Sequence, residues 1–185
     1  MKQTRTGESP VYRYLFGPVP SRRLGRSLGV DLVPAKTCPF DCLFCEAGCT
    51  TMQTLERREY VPIRDVLNEL KAWVRDGGTA EYVTLSGAGE PTLHTSFGEI
   101  LDFVRRHCSA KSALLTNGCL LGLPVVSDAA ARADLVKASL SAWDEASFRA
   151  INRPPPGLTF DSLVDGLRTF RSRYRGIFWL EVMVV

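Results

Sequence analysis

The 185-residue sequence has no apolar run long enough to cross a membrane, because its hydrophobic residues, 45% of the total, fall in short stretches. A membrane-spanning helix needs roughly 20 consecutive apolar residues. The N-terminal segment 1–8 is positively charged but has no apolar stretch behind it, so it lacks the pattern of a secretory signal. These absences predict a cytoplasmic protein without a membrane partner.

The sequence also lacks a large excess of positive or negative charge. The formal net charge of +3 is far from the polybasic composition typical of nucleic-acid-binding proteins. The two histidines, His94 and His107, are not spaced as a zinc-binding pair, and we assign both to surface or helix-end roles. Repeats and long linkers are absent from the sequence, and its length suits one domain over 1–185, with residues 1–26 as an N-terminal extension.

Short apolar runs alternate with amphipathic stretches along the chain. The predicted strands are 28–33, 82–86, 113–116, 135–140 and 177–185. The predicted helices are 62–75, a helix opened by a Ser96–Glu99 capping box, 125–132, 144–151 and a helix capped by Thr159. Because parallel neighbours need crossover connections, this alternation indicates an α/β fold with parallel strands. An open doubly wound sheet and a curved partial barrel both fit the pattern.

Six cysteines are the feature that most needs an explanation. Thiols stay reduced in the cytoplasm, so metal or redox chemistry is favoured over disulfides. Cys38, Cys42 and Cys45 fall in one segment with a C-x3-C-x2-C spacing. A structural zinc site needs four ligands, and only Cys49 is near enough in sequence to be the fourth. Three thiolates suit a [4Fe-4S] cluster with one iron open to an exogenous ligand, and zinc or ordinary thiols are the alternatives.

This cysteine segment resembles the signature of the radical S-adenosylmethionine (SAM) superfamily, including the aromatic Phe44 before the last cysteine. The resemblance implies that Cys38, Cys42 and Cys45 hold a [4Fe-4S] cluster whose fourth iron binds the amino and carboxylate groups of SAM. It places Phe44 among the cofactor-binding residues. It also implies a partial (β/α)6 TIM-like barrel of parallel strands.

A glycine-rich turn follows the second predicted strand. Its sequence, SGAGEP at 86–91, is similar to the Gly-Gly-Glu-Pro-like turn of the same family. The resemblance implies that Gly87, Gly89 and Glu90 bind the SAM ammonium group, since glycines permit close backbone approach and a carboxylate pairs with an amine. A dinucleotide-binding fingerprint is the rival interpretation, but its third glycine is missing.

Further polar residues follow the third and fourth predicted strands, at the face that bears active sites in parallel barrels. By the same resemblance, Asn117, Ser139 and Ser141 contact the carboxylate and ribose of SAM. An equal alternative for Asn117 is a turn residue that tolerates left-handed backbone geometry.

A nearer resemblance covers most of the chain. Segments 16–31 and 151–154 look like the branch of iron-sulfur oxidoreductases related to tRNA wyosine synthase. Within the first segment, Arg22, Arg23 and Arg26 are candidates to hold phosphate or an acidic substrate, and a solvated surface is the alternative.

Together these observations predict a radical SAM enzyme in which a reduced cluster cleaves SAM to a 5′-deoxyadenosyl radical. That radical abstracts hydrogen from an unidentified substrate, with tRNA as a candidate, and an electron donor such as flavodoxin or ferredoxin is required. The alternatives are a glycyl-radical-activating enzyme that acts on a protein, and a non-enzymatic metal-binding module. Because the family barrel has six strands and only five are predicted here, we expect a barrel truncated after the fifth strand or completed by a partner.

Overall fold

The computed structural model describes residues 12–184, so segment 1–8 lies outside the described part of the chain. The strands are β1 (Leu15–Ser21), β2 (Gly25–Val30), β3 (Thr37–Cys38), β4 (Met52–Gln53), β5 (Tyr82–Leu85), β6 (Lys111–Thr116), β7 (Leu135–Ser139) and β8 (Ile177–Glu181). The helices are α1 (Ile63–Arg75), α2 (Phe97–His107), α3 (Pro124–Ala130), α4 (Glu145–Ile151) and α5 (Phe160–Arg173), with a 3-10 turn at Pro91–Leu93.

Six strands form the main sheet in the order β1-β2-β5-β6-β7-β8. Every neighbouring pair from β2 to β8 is parallel, whereas β1 runs antiparallel to β2. The short strands β3 and β4 form a separate parallel pair. The predicted α/β class with a parallel sheet is therefore confirmed, with one antiparallel strand added at an edge.

The sequence-based prediction of five strands missed β1. Pro18 and Pro20 lack the N–H that a strand ladder needs, so the segment that contains them does not look like a strand. The structure tolerates both prolines because β1, among the residues that the structure describes, is an edge strand that pairs only with β2. The first predicted strand, 28–33, is displaced to Gly25–Val30, and the last strand ends at Glu181, short of its predicted end.

The main core lies between the helices and one face of the sheet. Helix α1 shows the expected buried stripe, formed by Val66, Leu70 and Trp73. On β6 the side chains alternate, so that Leu114 joins this core and Ala113 joins a smaller apolar cluster on the opposite face of the sheet. None of the helices in residues 12–184 is both long and apolar enough to span a membrane.

One helix cap and one histidine differ from their predictions. Thr159 caps α5 as expected, but the Ser96 side chain makes no capping hydrogen bond. Instead, the Ser96 backbone N–H donates to Nδ1 of His94, 3.1 Å away. His94 is fully buried, and its Nε2 lies 2.9 Å from the Val61 carbonyl oxygen, so the surface assignment is wrong for this residue. His107 does end α2.

The turn between β1 and β2 reaches the opposite edge of the sheet. There the Arg23 guanidinium forms an ion pair with Glu181 of β8, which also pairs with Lys137 of β7. In a flat sheet β2 and β8 would be four strand spacings apart, about 19 Å at about 4.8 Å each. Because the two side chains do not span that distance, the sheet must curve, as a partial barrel does. Arg23 is therefore engaged within the fold, while Arg22 and Arg26 are exposed.

Candidate cofactor site

The cysteine loop (residues 38–45) starts at β3 and lies against the turn that follows β5. The Glu90 N–H donates to the Thr37 carbonyl oxygen (3.0 Å), and the Lys36 N–H donates to the Ala88 carbonyl oxygen (2.7 Å). These two backbone bonds join segments that are about 50 residues apart in sequence. The cysteine motif and the glycine-rich turn therefore share one site at the carboxyl ends of the parallel strands.

Each thiol of the cysteine loop has a nitrogen donor beside it. Nδ2 of Asn117 lies 3.5 Å from the Cys38 sulfur, and Nδ2 of Asn152 lies 3.3 Å from the Cys42 sulfur. The Lys36 ammonium is 3.9 Å from the sulfur of the exposed Cys45. A thiolate is stabilised by such donors, so this environment suits sulfur atoms that carry negative charge.

Burial opposes ionisation of the two inner thiols. It raises the pKa of Cys38 to about 12, with a further increase from the Glu90 carboxylate, and it raises the pKa of Cys42. A metal bound through these thiolates would replace the thiol protons, so its uptake would release protons.

Cys38, Cys42 and Cys45 are free cysteines, and their thiolates are soft ligands. Such ligands suit an iron-sulfur cluster. Within residues 12–184, no group of three or more His, Cys, Asp or Glu side chains is arranged around a single ion. Cys49, the fourth ligand that the zinc alternative needs, is exposed.

Glu90 is a buried carboxylate at the centre of the site. Its Oε1 accepts hydrogen bonds from the Thr92 N–H (3.1 Å), the Thr92 hydroxyl (2.6 Å) and the Thr116 hydroxyl (2.6 Å). Its Oε2 accepts from the Asn117 N–H (2.8 Å) and keeps capacity for a further donor. Burial raises the pKa of Glu90 more than these hydrogen bonds lower it. An added cation would stabilise the charged form.

The glycines of the turn have a packing role. A Cβ atom on Gly89 would lie 2.3 Å from the Thr37 carbonyl oxygen, and one on Gly87 would lie 2.4 Å from the Asp31 carboxylate. Because the Thr37 carbonyl oxygen belongs to the backbone, Gly89 is required for the turn to pack on β3, whereas a side chain at Gly87 would displace the Asp31 carboxylate. Their contact with SAM stays a prediction.

Asn117 is held at both ends of its side chain. Its Oδ1 accepts from the Cys119 N–H (2.9 Å), which directs Nδ2 toward Cys38. The left-handed residue of this turn is Gly118 (φ 82°) rather than Asn117, while the bond from the Cys119 N–H to Asn117 Oδ1 fits a turn role for Asn117. Cys119 is half-buried, and burial together with the Glu90 charge raises its pKa well above the usual value.

The remaining predicted residues lie farther along the sheet or on the loop. Ser139 ends β7 and pairs with Glu181 of β8. The buried Ser141 hydroxyl accepts from the Met183 N–H (3.1 Å). Phe44 is half-buried in the cysteine loop. The structure thus brings Glu90 and Asn117 to the cysteines and places the two serines beyond β6, at the end of the next strand.

Sequence reasoning missed Lys36 and Asn152 as site residues. Asn152 is separated from Cys42 by 110 residues. Its only signal in the sequence was its place in the 151–154 run, which carried the branch resemblance without any assigned role.

Comparison with known proteins shows to which family the chain belongs. Residues 32–185 match the model of the Radical SAM superfamily. The chain belongs to this superfamily. A UPF0026 protein from Methanocaldococcus jannaschii is 34% identical over 172 residues, which cover 92% of this chain and 53% of that protein. This radical SAM chain spans 27% to 64% of the length of the curated relatives that it matches.

Solved structures show the same fold. A structure of TYW1 with a lysine-pyruvate adduct bound has a TM-score of 0.59 and 18% identity, covering 84% of this chain and 55% of that chain. Native anSMEcpe with bound AdoMet has a TM-score of 0.59 and 17% identity, covering 83% and 42%. These similarities, with the curvature noted above, confirm the partial-barrel fold of the radical SAM superfamily.

Proposed function

We propose that this radical SAM chain holds a [4Fe-4S] cluster through Cys38, Cys42 and Cys45 and binds SAM beside it. When bound, the cluster supplies the electron for reductive cleavage of SAM to a 5′-deoxyadenosyl radical, which abstracts hydrogen from a substrate. The chain's own residues hold the cofactors, orient SAM and limit access of water.

The main support for this proposal is that Asn117 contacts both the cysteine loop and the buried carboxylate of Glu90. Its side chain reaches the Cys38 sulfur, and its backbone N–H reaches Oε2 of Glu90. The metal ligand and the acceptor for an ammonium group are therefore two contacts of the same residue. SAM carries an ammonium group and must also reach iron, which is the combination that this site offers.

Several described residues offer suitable partners for the proposed SAM contacts. The free acceptor capacity of Glu90 suits the SAM ammonium group, and the exposed backbone at Gly87 suits its close approach. Phe44 is proposed to contact SAM from the cysteine loop, and Ser139 and Ser141 from the end of β7. The bound AdoMet of anSMEcpe, a protein of the same fold, supports this choice of ligand.

Anaerobic reconstitution tests the cluster. Wild-type protein should take up iron and sulfide and show a [4Fe-4S] absorption band and, once reduced, a spin signal. Cys42→Ala should lose the cluster and the reductive cleavage of SAM, whereas Cys108→Ala, a half-buried cysteine outside the cysteine loop, should keep both. Full SAM cleavage by Cys42→Ala would refute the proposal.

Calorimetric titration of SAM separates an enzyme from a metal-binding module. The reconstituted wild type should bind SAM, and Glu90→Gln should bind it more weakly, because a neutral amide no longer pairs with the ammonium group. A cluster-loaded protein without affinity for SAM would support the metal-binding module instead.

A tRNA substrate and a flavodoxin or ferredoxin as electron donor complete the proposal. The tRNA assignment rests on the branch resemblance of segments 16–31 and 151–154. A deletion strain should then lack a modified guanosine beside the anticodon, and an unchanged nucleoside profile would count against this substrate.

A further inference from the structure

Residues 151–153, at the end of α4 and just after it, pack against the cysteine loop. The Asp41 N–H donates to the Asn152 carbonyl oxygen (3.1 Å), and the Leu43 N–H donates to the Ile151 carbonyl oxygen (2.9 Å). Gln53 adds a side-chain bond from Nε2 to the Arg153 carbonyl oxygen (2.7 Å). This is the 151–154 run, to which the proposed function gives no chemical role.

Asn152 is fixed inside this contact. It is only 5% exposed and is the C-terminal cap of α4, with its N–H donating to the Phe148 carbonyl oxygen (3.0 Å). The Phe148 ring packs edge-on against Phe40 of the cysteine loop, with 5.4 Å between ring centroids. The side-chain amide is therefore held 3.3 Å from the Cys42 sulfur, where little water competes with it.

The side-chain amide of Asn117 likewise lies beside the Cys38 sulfur, at 3.5 Å. Because its Oδ1 is occupied by the Cys119 N–H, its Nδ2 is the atom that faces the sulfur. Two asparagines from distant parts of the chain thus aim amide donors at the two half-buried thiols, while Cys45 is exposed.

We propose that Asn152, together with Asn117, donates N–H···S hydrogen bonds to the thiolates of Cys42 and Cys38 and thereby raises the reduction potential of the cluster. This inference rests on the proposed function, since it requires the cluster. A reduced cluster carries one more negative charge than an oxidised one, and part of that charge resides on the thiolate sulfurs. A fixed donor therefore stabilises the reduced form more than the oxidised form.

The test compares two variants that loosen the same contact. Asn152→Leu keeps the size of the side chain and removes the donor. Gln53→Leu removes the bonds that join Pro39 to Arg153, without touching a sulfur. Reconstituted, SAM-free proteins are titrated with dithionite, which supplies one electron per cluster, and the reduced fraction is followed by its spin signal.

Asn152→Leu should lower the ratio of reduced to oxidised cluster at a fixed potential on the order of tenfold, which is about 59 mV for a one-electron couple. Gln53→Leu should leave the potential unchanged. An unchanged potential in Asn152→Leu, or an equal shift in both variants, would overturn the donor role. If the wild type assembles no cluster, the proposed function itself fails, and the two failures are thereby distinguished.

A spectroscopic measurement covers the case in which Asn152→Leu does not assemble a cluster. Wild-type protein with 15N-labelled asparagine side chains should show a nitrogen hyperfine coupling in the reduced cluster. Asn117→Leu should keep the part of that coupling that arises from Asn152. Absence of any such coupling in the wild type would also overturn the proposal.

Discussion

Substitution of Phe148 tests whether α4 stabilises the cysteine loop. The Phe148 ring is fully buried and lies edge-on to Phe40 at an interplanar angle of 84°. Phe148→Ala removes a whole buried ring and leaves a cavity, which costs about 3–5 kcal/mol. Phe148→Leu keeps most of the apolar volume and loses mainly the ring–ring contact and its shape, at about 1–2 kcal/mol. Trp143→Ala, at an aromatic residue that is 74% exposed, should cost no more than about 0.5 kcal/mol.

Urea unfolding of the cluster-free protein measures these differences. With a slope of about 2 kcal/mol/M for a chain of this size, the Phe148→Ala midpoint should fall by about 1.5–2.5 M. The slope should stay the same, because the variants change stability rather than the surface exposed on unfolding. If Phe148→Ala cost less than about 1 kcal/mol, or no more than Trp143→Ala, α4 would not be packed on the loop as described.

Three further predictions address the turn and the core. Burial raises the pKa of Glu90 above its ordinary value of 4.5, so the folded state binds the proton more tightly, and wild type should lose stability relative to Glu90→Gln as the pH rises above 4.5; a pH-independent difference in urea unfolding would contradict this. Gly89→Ala should cost about 1–3 kcal/mol in the same assay, since its Cβ would meet the Thr37 carbonyl oxygen, and an unchanged midpoint would contradict the close approach. Tyr174→Phe should cost about 0.5–1.5 kcal/mol, because the hydroxyl donates to the Ala133 carbonyl oxygen (2.7 Å), and equal stability would show that this bond adds nothing.

Elements with a clear local pattern were predictable. Helix α1 follows from its apolar spacing, and the parallel sheet follows from the alternation of strands and helices. Strand β1 was not predictable, because Pro18 and Pro20 argue against a strand unless its position at the sheet edge is known. His94 looked like a surface residue because its partner, the Val61 carbonyl oxygen, belongs to another segment.

Part of the candidate site was likewise predictable from the sequence, and part was not. The cysteine spacing and the glutamate after β5 are short motifs, and both could be found in the sequence because each fits within a few residues. The donors to sulfur and the ion pair across the sheet could not. Asn152 is 110 residues from Cys42, and Arg23 is 158 residues from Glu181.

The sequence by itself determined the family, the α/β class and the three cysteines, because motif spacing and hydrophobic period are local properties of the chain. Only the tertiary structure decided that Asn117 joins Cys38 to Glu90 and that the Asn152 amide lies beside the Cys42 sulfur. It also decided that the sheet curves enough for Arg23, in the turn after β1, to pair with Glu181 of β8. The physical reason is that hydrogen bonds and ion pairs act over a few ångströms. Which distant residues come within that range is fixed by how the whole sheet and its helices pack.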